Sequence, residues 1–192
     1  MLGINDDDFI RGKIPMTKQE IRILTLVKAK IDEASIVLDI GAGTGSLSIE
    51  AALLAKSGHV YAVERKKEGI DLICRNAKKF AVENITVIEG EAPAALTDIP
   101  PCDVILIGGS GKHLQEILEV SSTLLKAGGR IILNCITLQT LYEAISYMRE
   151  HKETYRYEDI QVQVNRLNPI GAYDMAEALN PIHIISCEKI SL

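Results

Sequence analysis

The stretch of this chain best suited to holding a ligand is Leu38-Asp39-Ile40-Gly41-Ala42-Gly43-Thr44-Gly45. An apolar, β-branched run precedes it, and Ser46-Leu47-Ser48-Ile49-Glu50-Ala51-Ala52 follows with the composition of a helix start. Backbone N–H groups without helical partners gather at such a start, so a ligand placed there meets free donors. Glycine lets the main chain turn and approach the ligand where a Cβ would collide. The spacing is G-x-G-x-G, whereas the dinucleotide fingerprint G-x-G-x-x-G needs a sixth-place glycine for helix–strand packing, and Ser46 stands there. A dinucleotide is therefore the second choice.

Glu64 closes the run Val60-Tyr61-Ala62-Val63-Glu64, about 20 residues past the glycine turn, where an acid accepts hydrogen bonds from both hydroxyls of a ribose. The bland alternative is a solvated strand end. Further on, Glu89-Gly90-Glu91-Ala92-Pro93 makes a tight turn whose Ala92 amide and Glu91 side chain are placed to meet an adenine edge. Gly108-Gly109-Ser110-Gly111-Lys112-His113 forms a glycine-rich loop at which a second substrate would approach, or else a plain strand-to-helix connector.

The elements that must position these residues are read from hydrophobic spacing. Ile36-Val37-Leu38, Val60-Tyr61-Ala62-Val63, Ile85-Thr86-Val87-Ile88, Val104-Ile105-Leu106-Ile107 and Ile131-Ile132-Leu133 are candidate buried strands. Between them the spacing turns helical, most clearly at Leu114, Ile117, Leu118, Ser121, Leu124 and Leu125, with Ala127-Gly128-Gly129 expected to supply a left-handed helix cap. Alternating strands and helices imply a doubly wound α/β fold, a mostly parallel sheet with right-handed crossovers. The last third differs: Gln161-Val162-Gln163-Val164 and Pro181-Ile182-His183-Ile184-Ile185-Ser186, joined by a loop holding Asn168-Pro169-Ile170-Gly171, suggest an antiparallel hairpin at one sheet edge. Before Ser35, Thr17 and Glu20 have the spacing of a capping box, opening a helix with Ile21, Leu24, Val27 and Ile31 inward. That amino-terminal stretch, residues 1–34, is expected to cover the ligand site of a single domain spanning 1–192.

Composition narrows the function. The longest apolar runs fall far short of the roughly 20 residues of a membrane helix, and the acidic start from Met1 to Asp8 does not look like a secretory signal, so a cytoplasmic protein is expected. Cys74, Cys102, Cys135 and Cys187 show no metal-binding spacing and read as buried free thiols, with no metal site expected. A net charge of −5 without a long basic run argues against a partner gripped by its phosphates, so no nucleic acid is expected.

Together these residues resemble the class I S-adenosylmethionine-dependent methyltransferases over the entire chain. More narrowly, four blocks in order, Pro15-Met16-Thr17-Lys18-Gln19-Glu20-Ile21-Arg22, Asp39 through Ser46, Gly108-Gly109-Ser110-Gly111 and Asn180-Pro181-Ile182-His183-Ile184-Ile185, resemble the decarboxylating cobalt-precorrin-6B (C-15) methyltransferases of anaerobic cobalamin synthesis. The resemblance implies S-adenosylmethionine as cofactor, contacted by Thr17, by Gly41, Ala42, Gly43, Thr44 and Gly45, by Glu64 and by Ala92. It lifts Thr17 from helix cap to contact. Asp39, read from its place before the turn, is expected to orient the turn, and with it the amino group of the methionine moiety, without reacting. The chain lacks the Asn/Asp-Pro-Pro-aromatic run common where amino or amide nitrogen is methylated. It departs from the family at Lys112, where glycine is usual, and at Glu64, often aspartate.

The implied reaction adds a methyl to C-15 of a cobalt-precorrin and removes the ring C acetate carboxyl. A sulfonium methyl is already activated, so alignment and exclusion of water are the enzyme's main tasks, and no catalytic base is assigned. Loss of carbon dioxide delivers electrons into the conjugated macrocycle. A substrate with many carboxylates calls for cations, for which Arg11, Lys13, Lys18 and Lys112 are candidates, with Gly109 and Ser110 lining its approach. The resemblance also implies a homotetramer; a C-5 precorrin methyltransferase is a candidate functional partner, and whether C-5 methylation is done by a separate protein is left open by the sequence. Open alternatives are a transfer RNA or protein-carboxyl methyltransferase on the same scaffold, and a non-catalytic cofactor-binding module.

Overall fold

The computed structural model of the chain describes residues 2–190, which leaves Met1 of the acidic start outside it. A helix, α1 (Gln19–Ala29), precedes β1 (Ile36–Ile40), α2 (Ser46–Leu54), β2 (His59–Glu64), α3 (Lys67–Lys79), β3 (Ile85–Glu89), β4 (Cys102–Ile107), α4 (Leu114–Leu124), β5 (Leu125–Cys135) and α5 (Leu138–Glu150). The chain then runs through β6 (Tyr155–Val162), β7 (Asn165–Ile170), β8 (Tyr173–Ala178) and β9 (Ile182–Lys189). The main sheet has the order β3-β2-β1-β4-β5-β9-β6, parallel from β3 to β5, with β9 antiparallel to both of its neighbours.

Both faces of the parallel strands are covered, which explains their unbroken apolar runs. Leu38, Ile40, Ile105, Ile131 and Leu133 pack with Leu114, Ile117 and Leu118 of α4 and Met148 of α5. Val37, Val60, Leu106 and Ile132 pack on the other face with Leu26 of α1 and Ile49 of α2. The five parallel strands and the antiparallel edge pair β6–β9 are thus where the sequence puts them.

Five expectations are corrected. The segment between β6 and β9 is no loop but a second sheet, the ribbon β7–β8, turning at Gly171 (φ 63°). Every residue of β8 is exposed, so neither ribbon face imposes the alternation by which a strand is recognised. In α1 the buried residues are Ile21, Arg22, Thr25, Leu26 and Ala29, while Val27 is 55% exposed. Thr17 does not cap this helix; Lys18 holds the N-cap position without a side-chain bond, and Glu20 turns to Arg166 at 2.9 Å. At the end of α4, Leu125 is already extended, and Gly128 (φ 75°) lies in a bulge of β5, where the pairing jumps from Cys102↔Leu125 to Val104↔Arg130. Finally, Cys74 is exposed; Cys102, Cys135 and Cys187 are buried, and burial pushes each of these thiols up to about 12, so they stay protonated. Among the described residues no helix is long and apolar enough to cross a membrane.

Candidate functional site

Two clefts open at the carboxyl ends of β1, β2, β3 and β4, where ligands bind in open α/β sheets. The first, about 270 Å³, is walled by Glu64, Arg65, Glu91, Ala92, Gly109 and Ser110. The second, about 470 Å³, is walled by Thr17, Lys18, Asp39, Thr44, Asn134 and Asn180. They share Pro15, Gly41, Gly43 and Gly108, so one elongated ligand can run from the first into the second across a glycine rim. The amino-terminal residues Ile14 to Lys18 form part of both walls.

The rim exists because two backbones touch. Gly41 has φ 74°, and a Cβ there would lie 2.8 Å from the carbonyl oxygen and 2.9 Å from the nitrogen of Gly109. Gly45, also left-handed at φ 77°, begins α2, and a Cβ on it would meet Ile73 of α3 at 2.9 Å. The turn is less bare than expected. Gly41 and Ala42 N–H groups donate to Val63 O at 3.0 and 3.1 Å, and Gly45 N–H donates to Ala42 O at 2.9 Å. Gly43 N–H donates to Glu64 Oε2 at 2.8 Å. Donors left for a ligand include those of the first turn of α2, which has no side-chain cap.

Glu64 is 7% exposed and also accepts from Lys66 N–H through Oε1 at 2.8 Å. Each carboxylate oxygen keeps a second lone pair for a hydroxyl donor in the first cleft. Asp39 is fully buried; Ser48 Oγ donates to Oδ2, while Oδ1 has no hydrogen-bond partner. Burial raises the Asp39 carboxyl to about 6, the Ser48 hydrogen bond opposes this, and the Glu64 charge adds to it. Thr44 Oγ1, buried in the same cleft, is likewise without a partner. Such orphaned groups are rare and ask for a ligand. Glu91 is tied to Arg65 at 2.6 Å, which leaves the Ala92 backbone as the freer contact on that wall.

The structure therefore brings together Thr17, Gly41 through Gly45, Glu64, Ala92, Gly109 and Ser110 around or beside one continuous space, with Lys18 at its wall and its Nζ 4.0 Å from Asp6. Arg11 and Lys13 line neither cleft; Lys13 instead gives its backbone N–H to Glu68. Lys112 takes φ 76° and lines a separate acidic groove with Glu116, Glu119, Glu143 and Glu150. That left-handed backbone is the physical reason glycine suits the position. Asn134, Asn180 and Arg65 were missed; Asn134 had one signal, a polar residue ending an apolar strand.

The strand order, with its antiparallel penultimate strand and its cleft at the first βα corner, defines a class I methyltransferase fold. The model of the precorrin methyltransferase domain family matches residues 8–189, and the chain belongs to that family. A cobalt-precorrin-6B C(15)-methyltransferase (decarboxylating) from Salmonella typhimurium is 37% identical over 187 residues, covering 97% of this chain and 96% of that protein. The crystal structure of a precorrin-6y C5,15-methyltransferase from Geobacter metallireducens superposes with a TM-score of 0.92 at 40% identity, covering 98% of both chains. A precorrin 8w decarboxylase from Methanobacterium thermoautotrophicum superposes with a TM-score of 0.90 at 34% identity, covering 95% of this chain and 98% of that one. Membership in a methyltransferase family implies use of S-adenosylmethionine. The orphaned Asp39 Oδ1 and the rim at which a Cβ on Gly41 would strike the Gly109 backbone fit such a molecule.

Proposed function

We propose that this chain transfers a methyl group from S-adenosylmethionine to C-15 of a cobalt-precorrin of the precorrin-6B type, with decarboxylation of the ring C acetate, in cobalamin biosynthesis in the cytoplasm. The observation that carries the reading is the continuous double cleft with an acid on each side of the glycine rim, Glu64 in one half and Asp39 in the other. Bound there, the cofactor supplies an activated sulfonium methyl. Glu64 would hold the ribose hydroxyls, the Ala92 amide would meet the adenine, and Asp39 Oδ1 would accept from the methionine ammonium, with Thr17 and Thr44 beside it. The rim of Gly41 and Gly108 lets the acceptor carbon come close to the methyl, and the Ile14–Lys18 segment keeps water from the cleft. No side chain is needed as a base, since the macrocycle takes up the electron pair released with carbon dioxide. Lys18, Gly109 and Ser110 are proposed at the acceptor mouth, and Arg11, Lys13 and Lys112 at peripheral carboxylates of a ring wider than the cleft. Incubation with S-adenosylmethionine and candidate precorrins should yield a product heavier by one methyl and lighter by one carboxyl. Methyl transfer to RNA or protein carboxyls instead would overturn the assignment.

Glu64→Ala should cost cofactor affinity about 1–3 kcal/mol through lost hydrogen bonds to the carboxylate; calorimetry showing wild-type affinity would refute the ribose role. Asp39 gives a pH signature. Its folded carboxyl titrates near 6 against 3.8 ordinarily, so the cofactor-free protein loses stability as pH rises through that window. An ammonium partner needs the ionised form, so cofactor affinity should fall as pH drops below about 6. Asp39→Asn should remove that dependence, and an unchanged pH profile in the variant would contradict the pairing.

A homotetramer is also proposed, with C-5 methylation carried out by a separate partner enzyme. Its support is the ribbon β7–β8, where Leu167, Ile170, Tyr173 and Met175 are 71%, 54%, 81% and 59% exposed. Apolar surface of that kind marks interaction sites, and light scattering measures the assembly directly.

A further inference from the structure

Beside the two clefts lies a smaller space, a recess of about 180 Å³ at the carboxyl ends of β4 and β5, walled in part by Gly108, Gly109 and Ser110. Ile107 of β4 pairs with Ile40 of β1 on one side and with Leu133 of β5 on the other, so the recess lies one strand away from the rim of Gly41 and Gly108. Neighbouring strands are about 5 Å apart. The recess shares Gly109 and Ser110 with the first cleft, Ile136 with the second and Gly108 with both. Pockets for whole ligands start at about 300 Å³; this one has room for a short side arm.

Its charge content sets it apart. Arg65 and Lys66 line the first cleft and Lys18 the second, whereas among the described residues no lysine or arginine lines the recess. Ile107, Leu133 and Ile136 give it apolar walls, and Cys135 adds a buried thiol that stays protonated. The Thr140 hydroxyl is already paired with that of Thr137 at 2.9 Å. A positive pole stands at the start of α5, but there Thr140 N–H donates to Thr137 Oγ1 at 3.3 Å. His183, opposite Cys135 on β9, is held by Asp159 at 2.9 Å, so that pair brings no net positive charge.

A carboxylate in such a place loses water without gaining a cation. Given the reaction proposed above, on which this rests, we infer that the recess receives the acetate arm of the acceptor and that its lack of a cation speeds the loss of carbon dioxide. A ring whose methyl-accepting carbon lies over Gly108 carries that arm a few bonds away, over β5. The bond between the arm's methylene and its carboxyl carbon breaks, and the electron pair passes through the conjugated ring to the carbon that bonds the incoming methyl. The methylene takes the proton which that ring carbon gives up, so the arm ends as a methyl group. Negative charge leaves the carboxylate and spreads over the ring, while neutral carbon dioxide suits apolar walls. A cation in the recess would hold the starting carboxylate more tightly than the transition state, and so slow the step.

Thr140→Lys puts an ammonium at the recess, and Thr140→Met matches its length without the charge. Binding of a cobalt-precorrin of the precorrin-6B type is read by absorbance titration of the full chain with S-adenosylhomocysteine in place of the methyl donor. Carbon dioxide release is read in a single turnover with the acceptor and S-adenosylmethionine saturating. Against the methionine variant, the lysine variant should bind the acceptor about tenfold more tightly and release carbon dioxide about tenfold more slowly, the value of one charge-assisted hydrogen bond made only before the reaction. Tighter binding with slower release is a split that damage to the fold does not produce. Equal release by the two variants, or slower release without tighter binding, overturns the proposal. Should either fail to fold, Ile136→Lys against Ile136→Met makes the same comparison at a residue 61% exposed. A wild-type chain that binds the acceptor and releases no carbon dioxide overturns the proposed reaction itself, and this inference with it.

Discussion

Gly41→Ala is expected to lower cofactor affinity by more than tenfold and to destabilise the chain at the same time. A left-handed residue with a Cβ costs about 1–2 kcal/mol, and Gly41 sits at φ 74°. The larger effect is steric. The new methyl would lie within 3.0 Å of the oxygen, nitrogen and Cα of Gly109, all backbone atoms that cannot rotate aside. Relief requires the loop after β4 to withdraw, which spreads the rim joining the two clefts and moves Gly108, Gly109 and Ser110 away from the space they wall. Gly171→Ala is the control: it has φ 63°, nothing lies within 4 Å of its Cβ position, and it is far from the clefts. That variant should show only the conformational cost, about 1–2 kcal/mol in denaturant unfolding, with wild-type cofactor titration. Equal cofactor affinity in both variants would show that the contact with Gly109 does not shape the site.

Arg22→Met is expected to destabilise the protein by about 3–5 kcal/mol, the usual cost of removing one member of a buried ion pair. Arg22 is fully buried, with Nε 2.9 Å from Glu50 Oε1 and Nη1 2.7 Å from Asp6 Oδ1. It also donates to Thr17 O at 2.5 Å and to Ile4 O, and lies over the Phe9 ring at 4.8 Å. Glu50 is itself fully buried and holds the Gly3 and Ile4 N–H groups. Methionine fills the space but leaves the buried Glu50 and Asp6 without their guanidinium partner. The double variant Arg22→Met with Glu50→Gln should recover part of the loss, because the uncompensated charge is gone. Since Arg22 ties Thr17 O, the single variant should also bind the cofactor more weakly under conditions where it remains folded. Chemical denaturation giving a loss below 1 kcal/mol, under the range for a buried pair, would mean that Asp6 and Glu50 find other partners.

What the amino-acid sequence determined by itself is local. The glycine turn, the acid ending β2 and the apolar strands are legible because each is specified by neighbours in sequence: a turn that excludes Cβ atoms, and strands buried on both faces by helices. Burial that depends on distant residues is not legible in this way. Arg22 faces inward because Asp6 and Glu50 converge on it, and Val27 faces outward in consequence. Gly128 serves a strand bulge, not a helix cap, because β5 must pair with β4 before the chain has straightened. The ribbon β7–β8 is invisible to periodicity because no core stands behind either face. Asn134 acquires its orientation from a threonine 109 residues earlier. Periodicity records whether a side chain is apolar; only the folded chain decides which polar groups meet, since the free energy of burying them depends on partners that sequence spacing does not encode.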